Sequence, residues 1–142
     1  MFHRTVKSSL LLLHLLLPWL SVADDYLSPN AIEGTTKIDA ESLIQLAQEH
    51  EDLIIIDSRI SSDRHQGFIP GSISLPDTDT NCVSLLSIIH RKDDAVVFYC
   101  NGPRCRRSDR AVAIARNCGY SNLYWFRGGF EEWRNKHYII SK

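Results

Sequence analysis

The chain has 142 residues, with 16 Lys+Arg, 17 Asp+Glu and four cysteines. That length suits one compact domain, and a content of 44% hydrophobic and 23% charged residues excludes a disordered, collagenous, coiled-coil or multi-span membrane chain. A net charge of −1 excludes a general nucleic-acid binder, and four cysteines are too few for a disulfide scaffold of this size.

The chain opens with His3, Arg4 and Lys7 and has no acid before Asp24. Leucine then fills most positions from Leu10 to Leu20, and Pro18 breaks the run. Ser21-Val22-Ala23 follows, with small residues at the −3 and −1 places of a cleavage site. This is the layout of a signal peptide over residues 1–23, cut after Ala23. The apolar run is shorter than the ~20 residues of a membrane span, so no stable membrane anchor is predicted. Export to the periplasm or the extracellular space follows, where disulfides can form.

Residues 24–36 mix Pro, Gly, Asn and Thr without a period and are read as an extended lead-in. A single domain is predicted over 37–142. Asp39 is placed to cap a helix from Ala40 to about His50. Leu53-Ile54-Ile55-Ile56 and Ala95-Val96-Val97-Phe98-Tyr99 are continuous apolar runs and read as strands buried on both faces. Ser72-Ile73-Ser74-Leu75 alternates and is a shorter strand, ended by Pro76. Val83 to His90 is predicted as a helix, as is Ser108 to Cys118, which Gly119 stops. Leu123 to Phe126 is a strand, Gly128-Gly129 a turn and Phe130 to Lys136 a last helix. Alternating strands and helices imply a parallel sheet covered on both faces. Ligands bind such sheets beyond the carboxyl ends of the strands, so the loops after Ile56 and Tyr99 are where chemistry is expected.

The second of these loops reads Cys100-Asn101-Gly102-Pro103-Arg104-Cys105-Arg106-Arg107. Cys100 stands at the end of a buried strand, and a helix starts about seven residues on. A loop of this kind curls its backbone N–H groups inward as an anion nest, and the helix presents its positive end to the same point. Arg104, Arg106 and Arg107 add full charges. Each effect favours thiolate over thiol, so Cys100 is expected to be nucleophilic at neutral pH. The same cradle would bind an anionic substrate.

Three further stretches stand in order around this loop: Asp57-Ser58-Arg59, then Gly67-Phe68-Ile69-Pro70-Gly71-Ser72, then Gly119-Tyr120 with Trp125-Phe126-Arg127-Gly128-Gly129-Phe130-Glu131-Glu132-Trp133. Together with the Cys100 loop they resemble the successive motifs of a rhodanese domain, over roughly Ile38 to Tyr138. The resemblance implies an α/β fold with a five-stranded parallel sheet flanked by helices on both faces. It implies transfer of sulfane sulfur from thiosulfate or a persulfide donor through a cysteine persulfide, with Cys100 at the catalytic position. The acceptor would be cyanide, a thiol or a partner protein's cysteine. Arg59, Asn101, Gly102, Pro103, Arg104, Cys105 and Arg106 are then expected to bind the substrate, with the N–H groups of 101–106 on the persulfide. Asp57 and Arg59 are read equally as site support and as a structural ion pair. No cofactor is implied, and no metal: His50, His65, His90 and His137 lie far apart, without ligand spacing.

Two alternatives stay open. Cys100 to Arg106 spells C-x5-R, which resembles cell-cycle-type dual-specificity phosphatases and arsenate reductases of the same fold. There the arginine clamps two oxygens of a tetrahedral anion. The other alternative is a redox or sulfur-relay module without turnover of its own. Cys105 is read equally as a resolving thiol and as loop packing. Cys82 and Cys118 are read as small core residues, with a bond between them as the alternative; the spacing does not set the connectivity.

Overall fold

The computed structural model describes residues 25–142; the leader and its cleavage site lie outside the described residues. Five strands run in the order β1 (Thr36–Ile38), β2 (Ile54–Asp57), β3 (Ile73–Ser74), β4 (Val96–Tyr99) and β5 (Leu123–Phe126). They form one sheet, ordered β1-β5-β4-β2-β3, in which every pair is parallel. Among the described residues five helices alternate with them: α1 (Ala40–Glu49), α2 (Ser61–Arg64), α3 (Cys82–Ile88), α4 (Arg107–Asn117) and α5 (Gly129–Asn135).

The period-two side-chain alternation of the central strands builds two cores. Ile56, Val96, Phe98 and Leu123 pack with Leu85 and Ile89 at the α3 end and with Ala111, Val112 and Ala115 of α4. Ile55, Val97, Tyr99 and Phe126 pack on the other face with Ala40 and Leu43 of α1 and with Phe130 and Trp133 of α5. This is why β2 and β4 read as unbroken apolar runs. Asp39 caps α1 as its position suggests, its carboxylate accepting from Ser42 N at 2.9 Å. Gly119, at φ +91°, follows the end of α4.

The register aligns the carboxyl ends of the strands. Ile38 pairs with Phe126, Phe126 with Tyr99, Tyr99 with Asp57 and Asp57 with Ser74. The next residues on the two central strands, Ser58 and Cys100, therefore emerge side by side at one edge.

Two elements differ from the sequence reading. The lead-in ends at Thr35, because Thr36–Ile38 adds to β5 as an edge strand, and Ser61–Arg64 forms one helical turn. Cys82 is exposed, not a core residue; it is bonded to Cys118, with their Cα atoms 5.5 Å apart. The bond joins the start of α3 to the residue after α4. No helix among the described residues is long and apolar enough to cross a membrane.

Candidate active site

Asp57, the last residue of β2, is fully buried, and a buried carboxylate must be paired. Its Oδ1 accepts from Arg59 N at 3.1 Å and Arg59 Nε at 2.9 Å. Its Oδ2 accepts from Arg59 Nη2 at 2.7 Å, Arg64 Nη1 at 3.0 Å and the Tyr99 hydroxyl at 2.8 Å. Burial pushes the Asp57 carboxyl up, but the Arg59 guanidinium and the Tyr99 hydroxyl outweigh it and hold the group below the usual carboxylate value. Burial and the Asp57 charge push the Tyr99 hydroxyl up, so it remains a donor. Arg59 is 1% exposed and reaches further, donating to Gly67 O at 2.9 Å and to Asn101 Oδ1 at 3.4 Å. The network thus runs from the end of β2 to the second residue of the loop after β4.

That loop starts at Cys100, which is 1% exposed. Its carbonyl accepts from Phe130 N at 2.8 Å, and the Asn101 carbonyl accepts from Glu131 N at 2.7 Å. The first turn of α5 therefore clamps the first two residues of the loop. Gly129 makes this approach possible: its φ is +57°, and a Cβ there would sit 2.3 Å from Cys100 O. Gly129→Ala is expected to destabilise the fold by about 2–4 kcal/mol, combining left-handed strain with a backbone clash. Gly71 has φ +77° but nothing within 4 Å of its Cβ position, so Gly71→Ala should cost only the strain, about 1–2 kcal/mol. Urea denaturation of both variants checks the difference.

The lead-in lies against the other side of the loop. Ser28 N donates to Pro103 O at 2.7 Å, and Ser28 Oγ to Cys105 O at 3.4 Å. Arg104, exposed, pairs with Asp25 at 3.0 Å, and the Arg106 guanidinium stacks 4.2 Å from the centre of the Tyr26 ring. The Tyr26 hydroxyl hydrogen-bonds Asp109 of α4. Arg127 holds this segment from behind, through Pro29 O at 2.9 Å and Ser28 O at 2.8 Å.

Within the loop, Cys105 N donates to Gly102 O at 2.9 Å. The amides of Asn101, Gly102 and Arg104 donate to no backbone carbonyl among the described residues. The hydroxyl of Ser58, beside Cys100 at the sheet edge, is buried without a partner among the described residues. Cys100 and Cys105 are joined by a disulfide, with Cα atoms 6.2 Å apart. An open cavity of about 240 Å³ abuts the loop, lined by Arg59, Asp63, Gln66, Asn101, Phe130, Glu131 and Arg134.

Of the residues expected to bind substrate, Arg59 and Asn101 share this cavity. Gly102, Pro103 and Cys105 shape the loop, and Arg104 and Arg106 engage the lead-in. Arg107 pairs with buried Asp77 at 2.5 Å. Tyr26 and Ser28 carry no sequence signal for their part in the site, because each acts through contacts with distant stretches of chain; Arg127 and Gly129 stand in the Trp125–Trp133 stretch, which does not by itself show that they support the lead-in and the Cys100 loop. Among the described residues no cluster of three or more His, Cys, Asp or Glu could hold a metal ion.

Comparison with known proteins agrees with this arrangement. The model of the family described as Rhodanese-like domain matches residues 39–136. A protein named sulfurtransferase from Allochromatium vinosum is 33% identical over 97 residues, spanning 68% of this chain and 86% of its own length. The crystal structure of the BH2092 protein from Bacillus halodurans superposes with a TM-score of 0.66 at 25% identity, covering 75% of this chain and 77% of that one. The human single-domain sulfurtransferase TSTD1 superposes at 0.57 and 21% identity, covering 72% and 97%.

Proposed function

The chain belongs to the rhodanese-like domain family, a sulfurtransferase family, and we propose that it moves sulfane sulfur from thiosulfate or a persulfide donor through a persulfide on Cys100. The observation that carries this reading is the placement of Cys100. It stands at the aligned carboxyl edge of the sheet, next to spare backbone amides and ahead of the N-terminus of an eleven-residue helix. Both favour a sulfur anion.

The reactive form has the Cys100–Cys105 bond reduced. The Cys100 thiolate attacks the outer sulfur of thiosulfate. The sulfur–sulfur bond breaks, and sulfite leaves with the electron pair. The persulfide then gives its outer sulfur to a nucleophile such as cyanide, a thiol or a partner protein's cysteine. The adjoining cavity, which Arg59 and Asn101 line together with Asp63, Glu131 and Arg134, is the space beside the loop that a donor would enter. An exported location, where the Cys82–Cys118 bond would persist, is part of this proposal. Release of sulfite from thiosulfate by the reduced protein, in a single turnover, tests the reading; no release, together with no sulfur gained on Cys100 from a persulfide donor, refutes it.

Arg106 separates this chemistry from that of a phosphatase. A single transferred sulfur has no oxygens to clamp, so Arg106→Ala should raise KM for thiosulfate and leave kcat nearly unchanged. Aryl-phosphate hydrolysis should stay at background. Phosphatase turnover that falls on the order of 10²-fold in Arg106→Ala would assign Arg106 to an oxyanion clamp instead.

A further inference from the structure

The loop holds two thiols where transfer of one sulfur needs one. A sulfur in this chemistry has two bonds, so on Cys100 Sγ an incoming sulfane sulfur and Cys105 Sγ are mutually exclusive. In the structure Cys105 Sγ is bonded there. The pair closes while the α5 clamps on Cys100 O and Asn101 O, the Cys105–Gly102 turn and the Ser28 bond to Pro103 O are all in place. The loop geometry that presents Cys100 to a donor thus also presents Cys105 to Cys100. Cys100 is buried, whereas Cys105 is half-exposed.

We infer that Cys105 is the thiol that resolves the Cys100 persulfide, so that the protein reduces sulfane sulfur to hydrosulfide and takes its electrons from a dithiol partner. This rests on the persulfide reading above. The Cys105 thiolate attacks the inner sulfur, Cys100 Sγ, of the protonated persulfide. The Sγ–Cys105 Sγ bond forms, and the bond to the outer sulfur breaks. The outer sulfur leaves as HS⁻, with the electron pair and the proton. The sulfane sulfur gains two electrons, and the two cysteines together lose two. A dithiol of the compartment then opens the disulfide by exchange and ends as a disulfide itself. Intramolecular attack by a thiol held within bonding reach has an effective concentration that external acceptors do not match, up to ~10⁵ M and more in well-oriented cases. Hydrosulfide is also a weaker base than an alkyl thiolate and the better leaving group.

The experiment treats the reduced full chain, freed of reductant, with one equivalent of thiosulfate and no acceptor, in wild type and Cys105→Ser. Sulfite, sulfide and intact mass are read. Wild type should release sulfite and about one sulfide per chain and end about 2 Da lighter, with the new bond mapped to Cys100–Cys105. Cys105→Ser should release sulfite, keep a gain of about 32 Da on Cys100, and release little sulfide until dithiothreitol is added. A wild type that keeps the added sulfur without releasing sulfide overturns the inference. So does a Cys105→Ser variant that releases sulfide as fast as wild type. Sulfite release from neither protein, with no sulfur taken up from a persulfide donor either, would overturn the persulfide reading itself, and this step with it. Should Cys105→Ser fail to fold, Cys105→Ala and the wild-type bond mapping give the same decision.

Discussion

Cys100→Ser is expected to lower sulfite release from thiosulfate by at least about 10³-fold, the scale on which loss of a covalent nucleophile acts. A serine hydroxyl is scarcely ionised at neutral pH and cannot hold a sulfane sulfur. The hydroxyl fits the space of the thiol, and the two carbonyls clamped by α5 belong to the backbone, so the fold should persist. The comparison must be made with reduced wild type. The variant also lacks the bond to Cys105, and closing a loop of sequence separation 5 contributes about 2 kcal/mol in a chain-entropy model. Sulfite release assayed beside circular dichroism and urea denaturation separates the two effects. Normal activity in the variant would remove Cys100 from the reaction.

Asp57→Asn is expected to cost about 3–5 kcal/mol of stability, the penalty for leaving a buried charge without its partner. Arg59 and Asp57 are 1% and 0% exposed, so water cannot compensate the guanidinium. The amide would also turn N–H donors toward Arg59, Arg64 and Tyr99, which are themselves donors. The pH dependence has a definite sign. The folded-state pKa of Asp57 lies below its unfolded value. The stability it contributes is therefore complete above about pH 4 and is lost as the pH falls through the depressed folded pKa. Urea midpoints from pH 7 down to pH 2 should fall in wild type over that acid range, with a smaller fall in Asp57→Asn. Equal acid slopes in the two proteins would show that Asp57 does not carry the linkage.

The parts of this molecule that were legible in its sequence are those governed by local pattern. Ile55–Ile56 and Val96–Tyr99 are buried, and the unbroken apolar runs that contain them announce that. Asp39 and Gly119 mark helix ends by their own backbone chemistry. Cys100 was locatable because strand end, loop and helix start lie within ten residues. What was illegible depends on residues far apart in the chain. Thr36–Ile38 is a strand only because Tyr124–Phe126 offers an edge. Asp25, Tyr26 and Ser28 meet the Cys100 loop across some eighty residues of sequence. Arg104 and Arg106 share the loop with Cys100, but proximity in sequence does not say that their side chains meet Asp25 and Tyr26. The Cys82–Cys118 bond has the same origin, since spacing alone does not determine which thiols pair.

That bond encloses more than two helix ends. Between Cys82 and Cys118 run α3, β4, the loop with Cys100 and Cys105, and α4. The smaller ring of Cys100 and Cys105 is thus nested inside a larger covalent ring. By chain entropy, closing the larger one over a separation of 36 is worth about 4 kcal/mol. Thermodynamic linkage makes the same free energy resist its reduction. Cys82 is exposed, so burial does not shield the outer ring, and its persistence rests on that stabilisation. A dithiol that serves the proposed reaction therefore has to be chemoselective: strong enough to open the inner ring, weak enough to leave the outer one closed.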